Sequence, residues 1–310
     1  MSNKITVIGS ANIDLIMKME RLPEKGETVT GAEFMQAFGG KGANQAVGAA
    51  RAGGNVEFIA SVGAASDPDT GRMLQNYTSD GIDIQHIHRQ RNAPTGRALI
   101  MIGEEGTNYI SVAPGANHLL SPALVDQTSS SLQQASMIVL QNEIPMATIE
   151  HIFQNHARPN KIPVLWNFAP TKQVDPNILE AVDILVVNEV EAAYLAGCSV
   201  ETDEDTTQAA ARLHEMGAQT VIISLGKRGA YVCSGDLQGL IPGFKVEAVD
   251  TTAAGDVFCG SLAVALTEGK DWEEAVRFAH GASALSVQKM GAQPSAPHRN
   301  DIDTFLNNPK

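Results

Sequence analysis

The chain has 310 residues and a mass of 32.8 kDa, room for one large α/β domain or two small ones. Hydrophobic residues make up 43% but aromatics only 5%, so Ala, Val, Ile and Leu must fill the core. With 22 Lys and Arg against 35 Asp and Glu the net charge is −13, which argues against unspecific nucleic-acid binding. A phosphate ligand stays open, because helix N-termini and magnesium supply positive field locally.

Residues 4–9 read as a buried opening strand of Ile5, Val7 and Ile8 before Gly9. Similar runs follow at 56–59, 137–140, 164–166, 184–187 and 220–224. Most are continuously apolar, as expected of a parallel sheet covered on both faces. Helical patterns alternate with them: residues 43–52 are rich in small residues, and 206–216 carry Ala209, Ala210, Leu213 and Met216 at helical spacing. Trp272, Ala275, Val276, Ala279 and Ala282 mark another. The alternation predicts an α/β fold with a mostly parallel sheet flanked by helices.

Residues 12–42 and 95–113 read differently, with half-polar strand candidates at 27–30 and 97–102. Gly103-Glu104-Glu105-Gly106 resembles a hairpin turn. These segments predict a small β-element projecting from the main sheet, either a lid or an ordinary antiparallel edge. The acidic run 201–205 reads as a solvated turn before a helix. The chain opens without a leader-like segment and holds no apolar run near 18 residues. Cys198, Cys233 and Cys259 form no disulfide framework or zinc spacing, and histidines such as His86 and His88 form no metal-like constellation. A soluble chain in a reducing, cytoplasmic compartment, with no membrane partner, is expected.

The strongest local signal is Asp250-Thr251-Thr252-Ala253-Ala254-Gly255-Asp256, followed by an apolar helix. A helix apolar all round is buried, so its N-terminal N–H groups point at something, with the positive dipole end behind them. Small residues there leave the N–H groups open to a phosphoryl group. Asp256 would stand beside that anion and take a proton from an attacking hydroxyl, or it only complements the dipole. Gly39-Gly40-Lys41-Gly42-Ala43-Asn44-Gln45-Ala46 opens another helix and permits close backbone approach. It is neither a Walker A loop nor a dinucleotide fingerprint, and the latter absence disfavours an oxidoreductase. Lys41 and Asn44 offer donors and acceptors for a polyhydroxylated ligand, unless the stretch is a plain turn with a solvated lysine.

Asn12-Ile13-Asp14 and Glu143 follow strands at their C-terminal ends, where open α/β sheets bind ligands. Turn or capping roles are the alternative for both. Asn188 and Glu191, three apart at a helix start, either hold water around magnesium and phosphate or form a capping box. Ser224-Leu225-Gly226-Lys227-Arg228-Gly229 either lines a nucleotide site or is a hairpin. His280 is either a nucleotide contact or a packed histidine, and Cys259 reads as a buried small residue.

Taken together and in order, these motifs resemble the phosphofructokinase-B (ribokinase-like) family of sugar kinases. The resemblance runs from Val7 to Gly291-Ala292-Gln293-Pro294-Ser295 and includes Asn167-Phe168-Ala169-Pro170 and Pro114-Gly115-Ala116-Asn117. It implies one kinase domain over residues 1–310 with a β-lid that also forms a homodimer contact. It implies transfer of the ATP γ-phosphoryl group to O5 of D-ribose. The sugar ligands it implies are Asn12, Asp14, Gly40, Lys41, Gly42, Asn44 and Glu143, with Asp256 as base and Ala253, Ala254 and Gly255 as anion hole. Asn188, Glu191, Ser224, Gly226, Gly229, Gly255 and His280 would serve ATP, the Asn188–Glu191 pair arranging magnesium. An activating potassium ion would use Asp250, Thr252, Ser286, Lys289, Gly291 and Ser295. Rival expectations are a kinase of this family for 2-deoxyribose, fructose or a nucleoside, and a non-catalytic sugar-binding protein. Two stretches depart from the family pattern: the turn at 61–71 is longer, and Phe168 stands where proline is frequent.

Overall fold

Alternate residues of the short apolar runs face opposite sides of one sheet. Ile5 and Val7 join one buried cluster while Ile8 joins another; Ile184 and Val186 divide from Leu185 and Val187 in the same way. A strand's period of two delivers residues to both faces, so both must be covered by helices. The computed structural model describes residues 3–103, 108–235 and 237–308.

Thirteen strands are formed among these residues: β1 (Lys4–Ile8), β2 (Asn12–Lys18), β3 (Glu33–Gly39), β4 (Asn55–Val62), β5 (Ile87–Arg89), β6 (Gly96–Ile102), β7 (Asn108–Ala113), β8 (Met137–Gln141), β9 (Val164–Asn167), β10 (Ile184–Asn188), β11 (Thr220–Ser224), β12 (Gly229–Cys233) and β13 (Gln238–Pro242). Nine build the main sheet in the order β13-β12-β11-β10-β9-β8-β1-β4-β5. It is parallel except for β12 and β13, which run antiparallel at one edge. The turn Gly226–Arg228 links β11 to β12, so the glycine stretch there is a hairpin. The expected α/β architecture is borne out.

The other four strands form a small sheet, β3-β2-β6-β7. β2 pairs parallel with β6 and antiparallel with β3, and β6 pairs antiparallel with β7. The hairpin turn expected at 103–106 falls mostly outside the described residues. Residues 27–30 are not a strand: they lie in irregular chain between Gly26 and Gly31, both with positive φ, and the strand comes later at Glu33–Gly39. The acidic run 201–205 does more than turn. Thr202 and Asp205 close a capping box, and the helix begins at Asp203.

Two helices on one face set the site. The helix Lys41–Arg51 starts two residues earlier than its apolar pattern indicates. It lies against the helix Ala254–Thr267 at backbone distance: a Cβ added to Gly260 would sit 2.4 Å from the carbonyl oxygen of Gln45. Glycine is the only residue that allows this approach, which brings Asn44 and Gln45 beside Asp256.

Candidate active site

The C-terminal ends of β1, β8, β9, β10 and β11 converge on one side of the main sheet. Ser10 and Asn12, Gln141 and Glu143, Asn167, Asn188 and Ser224 leave the sheet there. A parallel sheet presents its loops and helix N-termini at that edge. A cavity of about 240 Å³ opens among Lys41, Asn167, Asn188, Glu191, Ser224 and Asp256, with Thr251, Ala253, Ala254 and Gly255 on its rim.

Asp256 is the hub. It is buried, and its two carboxylate oxygens accept from Asn44 Nδ2 and Gln45 Nε2, each at 3.0 Å. Burial pushes its carboxyl up, against the pull of the Lys41 ammonium and the two amides. The Asp256 carboxylate in turn raises Lys41 above its ordinary value. Gln45 is itself held, its Oε1 accepting from Gln141 Nε2 at 2.6 Å. Gln293 Nε2 donates to Asn44 Oδ1 at 3.4 Å. Gln45, Gln141 and Gln293 were given no role by the sequence. Gln45 and Gln293 were visible inside quoted motifs, whereas only the fold brings Gln141 to them.

Asp256 is the third residue of its helix. The N-cap, Ala253, is in the left-handed conformation with φ 60°, and no side chain caps this end. The Ala254 N–H turns back to Thr251 O, and Ala253 O accepts from Val257 N. The N–H groups of Gly255 and Asp256 have no intrahelical acceptor by position, and both residues line the cavity. The arrangement suits an anion beside a buried carboxylate. Ala253 belongs to it by setting the helix start.

Glu143 joins β8 to the glycine-rich helix. Its Oε2 accepts from Lys41 N at 2.9 Å and from Ser10 Oγ at 2.5 Å. Gly42 packs on the β1 end, where a Cβ would lie 2.5 Å from Ser10 N. Asp14 stands on Gly39, and burial, with the Glu143 charge second, pushes its carboxyl up to about 7. Asn117 holds the link between the two sheets: its Oδ1 accepts from Ala11 N at 2.9 Å and its Nδ2 donates to Asn12 Oδ1 at 2.8 Å.

On the other flank, Asn188 and Glu191 form the capping box, with Glu191 N to Asn188 Oδ1 at 2.8 Å and Asn188 N to Glu191 Oε2 at 2.9 Å. Both nevertheless line the cavity, so the two expectations coexist. Burial pushes the Glu191 carboxyl up. Ser224 lines the cavity, while Gly226 and Gly229 occupy the turn just beyond it. His280 does not line it. It is buried against Phe258 with ring centroids 5.1 Å apart, and burial lowers its imidazole to about 4. Asn167 reaches the cavity, donates to Cys259 Sγ at 3.2 Å, and its Oδ1 is buried with no partner. Cys259 is buried and its thiol is pushed up by burial, as its position in an apolar helix suggested.

The loop before the anion site is stitched to the chain near residue 290. Asp250 accepts from Thr252 N and Oγ1 at 2.9 and 2.6 Å, and from Gly291 N at 2.8 Å. Lys289 N donates to Ser286 O at 3.0 Å. Asp250, Thr252 and Gly291 are thus together, with Ser286 and Lys289 adjoining through Val287, whose carbonyl accepts from Asp250 N. Ser295 bonds to Ala292 O rather than to this group.

A parallel sheet with polar residues gathered at its C-terminal edge, a buried carboxylate and an open helix N-terminus beside it is an arrangement suited to phosphoryl transfer, the chemistry of a phosphotransferase. The pfkB family carbohydrate kinase description matches residues 2–299, and the chain belongs to that family. Among curated relatives, a ribokinase of Haemophilus influenzae is 39% identical over 99% of both chains, and a deoxyribokinase of Salmonella typhi is 34% identical over 97% of this chain and 98% of its own. Among solved structures, a ribokinase of Thermotoga maritima is similar with TM-score 0.90 and 37% identity, covering 98% of this chain and 99% of that one. An Arabidopsis thaliana ribokinase complexed with ribose and ATP is similar with TM-score 0.90 and 33% identity over 99% of both.

Proposed function

We propose that this chain phosphorylates D-ribose at O5 with ATP, giving D-ribose 5-phosphate and ADP. The observation that carries the reading is the buried Asp256, held by Asn44 and Gln45 beside the uncapped helix N-terminus. The sugar rests on the ribokinase relatives and the ribose- and ATP-bound structure similar to this one. Asp14, Asn12, Lys41, Asn44 and Glu143 hold the sugar, with Gly40 and Gly42 keeping the backbone close. Asp256 accepts the O5 proton as O5 bonds to the γ-phosphorus and the bond to the bridging oxygen breaks. The Gly255 and Asp256 N–H groups, free of intrahelical acceptors, steady the transferring phosphoryl, with Ala253 and Ala254 shaping the helix start around them. The phosphates of ATP lie along Asn188, Glu191 and Ser224, with Gly226 and Gly229 in the turn beyond; His280, packed on Phe258 outside the cavity, is left out of the ATP site.

Glu191 is a buried carboxylate on the cavity wall, and with Asn188 it fits magnesium carried with the phosphates. When bound, the ion neutralises charge on the phosphate oxygens. Potassium fits the oxygen-rich loop of Asp250 and Thr252 with the 286–291 segment, and its charge would hold that loop beside the anion site. The small sheet closes over the sugar as a lid and excludes water. The same sheet is the dimer contact: Met17, Phe34, Leu99 and Tyr109 lie on one face by register and are all more than 40% exposed. No helix among the described residues is long and apolar enough to cross a membrane, and the cysteines are unpaired, which suits a cytoplasmic enzyme.

The deoxyribokinase relative favours a second reading, 2-deoxyribose, since the two pentoses differ by one hydroxyl. ADP formation with D-ribose, 2-deoxyribose, D-fructose and adenosine, each in potassium and in sodium, tests both. Turnover on ribose that rises in potassium is the expected result. Turnover only on another acceptor overturns the substrate, and ribose binding without turnover overturns the catalysis.

A further inference from the structure

We propose that Asp126, His151 and His156 form a binding site for a divalent transition metal of the zinc type, separate from the phosphoryl-transfer site. None of the three lines the cavity at Asp256. His151 Nε2 and His156 Nε2 both converge on Asp126 Oδ1, at 2.7 and 2.9 Å, and the three ligand atoms lie within 4.8 Å of one another.

The convergence depends on an irregular helix. An α-helix with 3.6 residues per turn would set residues five apart on faces about 140° from each other. Here the helix that begins at Met146 continues as a π-helical stretch over Ile152–Ala157. Its wider turn brings His151 and His156 onto one side, their rings 5.4 Å apart. Such stretches are rare and concentrate at functional sites. His156 is buried and His151 half-buried, so the two imidazoles are fixed, while the Asp126 side chain is 52% exposed and can move. Zinc bonds of about 2.0–2.1 Å in a tetrahedron need donors about 3.3 Å apart. At 2.7 and 2.9 Å the Asp126 oxygen stands closer than that to both histidine nitrogens, so it has to withdraw by about half an ångström to admit an ion, leaving a fourth position open to water.

Two imidazoles and one carboxylate match Zn²⁺ or Co²⁺ rather than Mg²⁺, which takes oxygen donors. Asn155 lies 3.1 Å from His151 Nδ1. Asn155 Nδ2 also donates to His151 O at 3.3 Å, so metal binding through His151 Nε2 requires the imidazole proton on Nδ1 and the loss of the Asn155–Nδ1 contact. Bound metal would tie the helix Pro122–Asp126 to the helix carrying the histidines.

The test uses untagged, chelator-treated full-length protein titrated with Zn²⁺ and with Co²⁺, with millimolar Mg²⁺ present. The expected result is one Zn²⁺ per chain, visible-range absorption from tetrahedral Co²⁺, and a melting temperature that rises with Zn²⁺. His151→Gln and Asp126→Asn, both on exposed or half-buried positions, each weaken binding at least ~10-fold with kinase activity unchanged. No binding by the unsubstituted protein, or variants that bind as tightly as it does, would leave the three side chains as a hydrogen-bond network alone and overturn the site.

Discussion

Two helices start on the same cavity and end their first turns in opposite ways. The helix Glu189–Ala196 closes its own N-terminus: Asn188 and Glu191 exchange hydrogen bonds in a capping box. The helix Ala254–Thr267 begins at a left-handed alanine and no side chain caps it. A closed end satisfies its donors internally and presents a carboxylate of fixed position. An open end keeps its donors for a ligand, and here the acidic residue of its first turn is engaged by another helix instead of by its own backbone. The contrast separates two acidic residues of similar sequence context: Glu191 holds a helix and a wall of the cavity, whereas Asp256 is the one the proposed function assigns to the reacting hydroxyl.

The largest expected effect falls on the open end. Asp256→Asn should lower kcat by about 10²–10⁴-fold with ribose still bound, as loss of a general base does. Calorimetric ribose binding beside steady-state turnover decides it, and near-normal turnover would remove Asp256 from the base role. Next comes Gly255→Ala. No atom lies within 4 Å of an added Cβ there, because the space is the cavity itself. The alanine should stabilise the helix by about 0.5–1 kcal/mol while kcat falls, since the methyl occupies the phosphoryl position. Thermal melts and turnover on the same preparation would separate these; a variant that is both stable and fully active shows that the phosphoryl lies elsewhere. On the closed end, Glu191→Gln keeps the box, because glutamine accepts the same hydrogen bond, but removes the charge. The melting temperature should hold, and the magnesium concentration for half-maximal rate should rise. Glu191→Ala should cost about 1 kcal/mol in addition.

The main sheet was legible because its strands are continuous apolar runs that nothing else in a chain of this composition explains. The glycine motif was read as opening a helix, but the exact start at Lys41 was blurred because the small-residue pattern begins at Ala43, and the reason for Gly42 shows only in its packing on the β1 end. The strand at Glu33–Gly39 was missed because Phe34 and Met35 are exposed apolar residues on a small sheet, which disguises the half-polar pattern. Site residues at strand ends could be read from position and chemistry. The Gln141–Gln45–Asp256 chain could not, because it joins residues 96 and 211 positions apart. The histidines at 151 and 156 looked unrelated, as five residues is the wrong spacing for an α-helical face.

Asp14 gives the smallest effect and the finest comparison, since its carboxyl is perturbed by burial with Glu143 as neighbour rather than by a helix end. Its value is raised from 3.8 to about 7, so the fold favours the protonated form. The stability this supplies is present in full below the unfolded value and is lost as pH rises through about 7. In the proposed function sugar hydroxyls donate to the ionised carboxylate, so bound ribose should pull the value back down. Ribose affinity should therefore increase as pH rises toward 7 and then level, and binding near pH 6.5 should release a fraction of a proton. Calorimetry in two buffers of different ionisation enthalpy reads that release directly. In Asp14→Asn the release should vanish and the weakened affinity become flat with pH, while the free protein gains stability over the unsubstituted chain across the same window. A pH-independent affinity in the unsubstituted protein, with no proton released, would mean that the sugar hydroxyls do not meet Asp14.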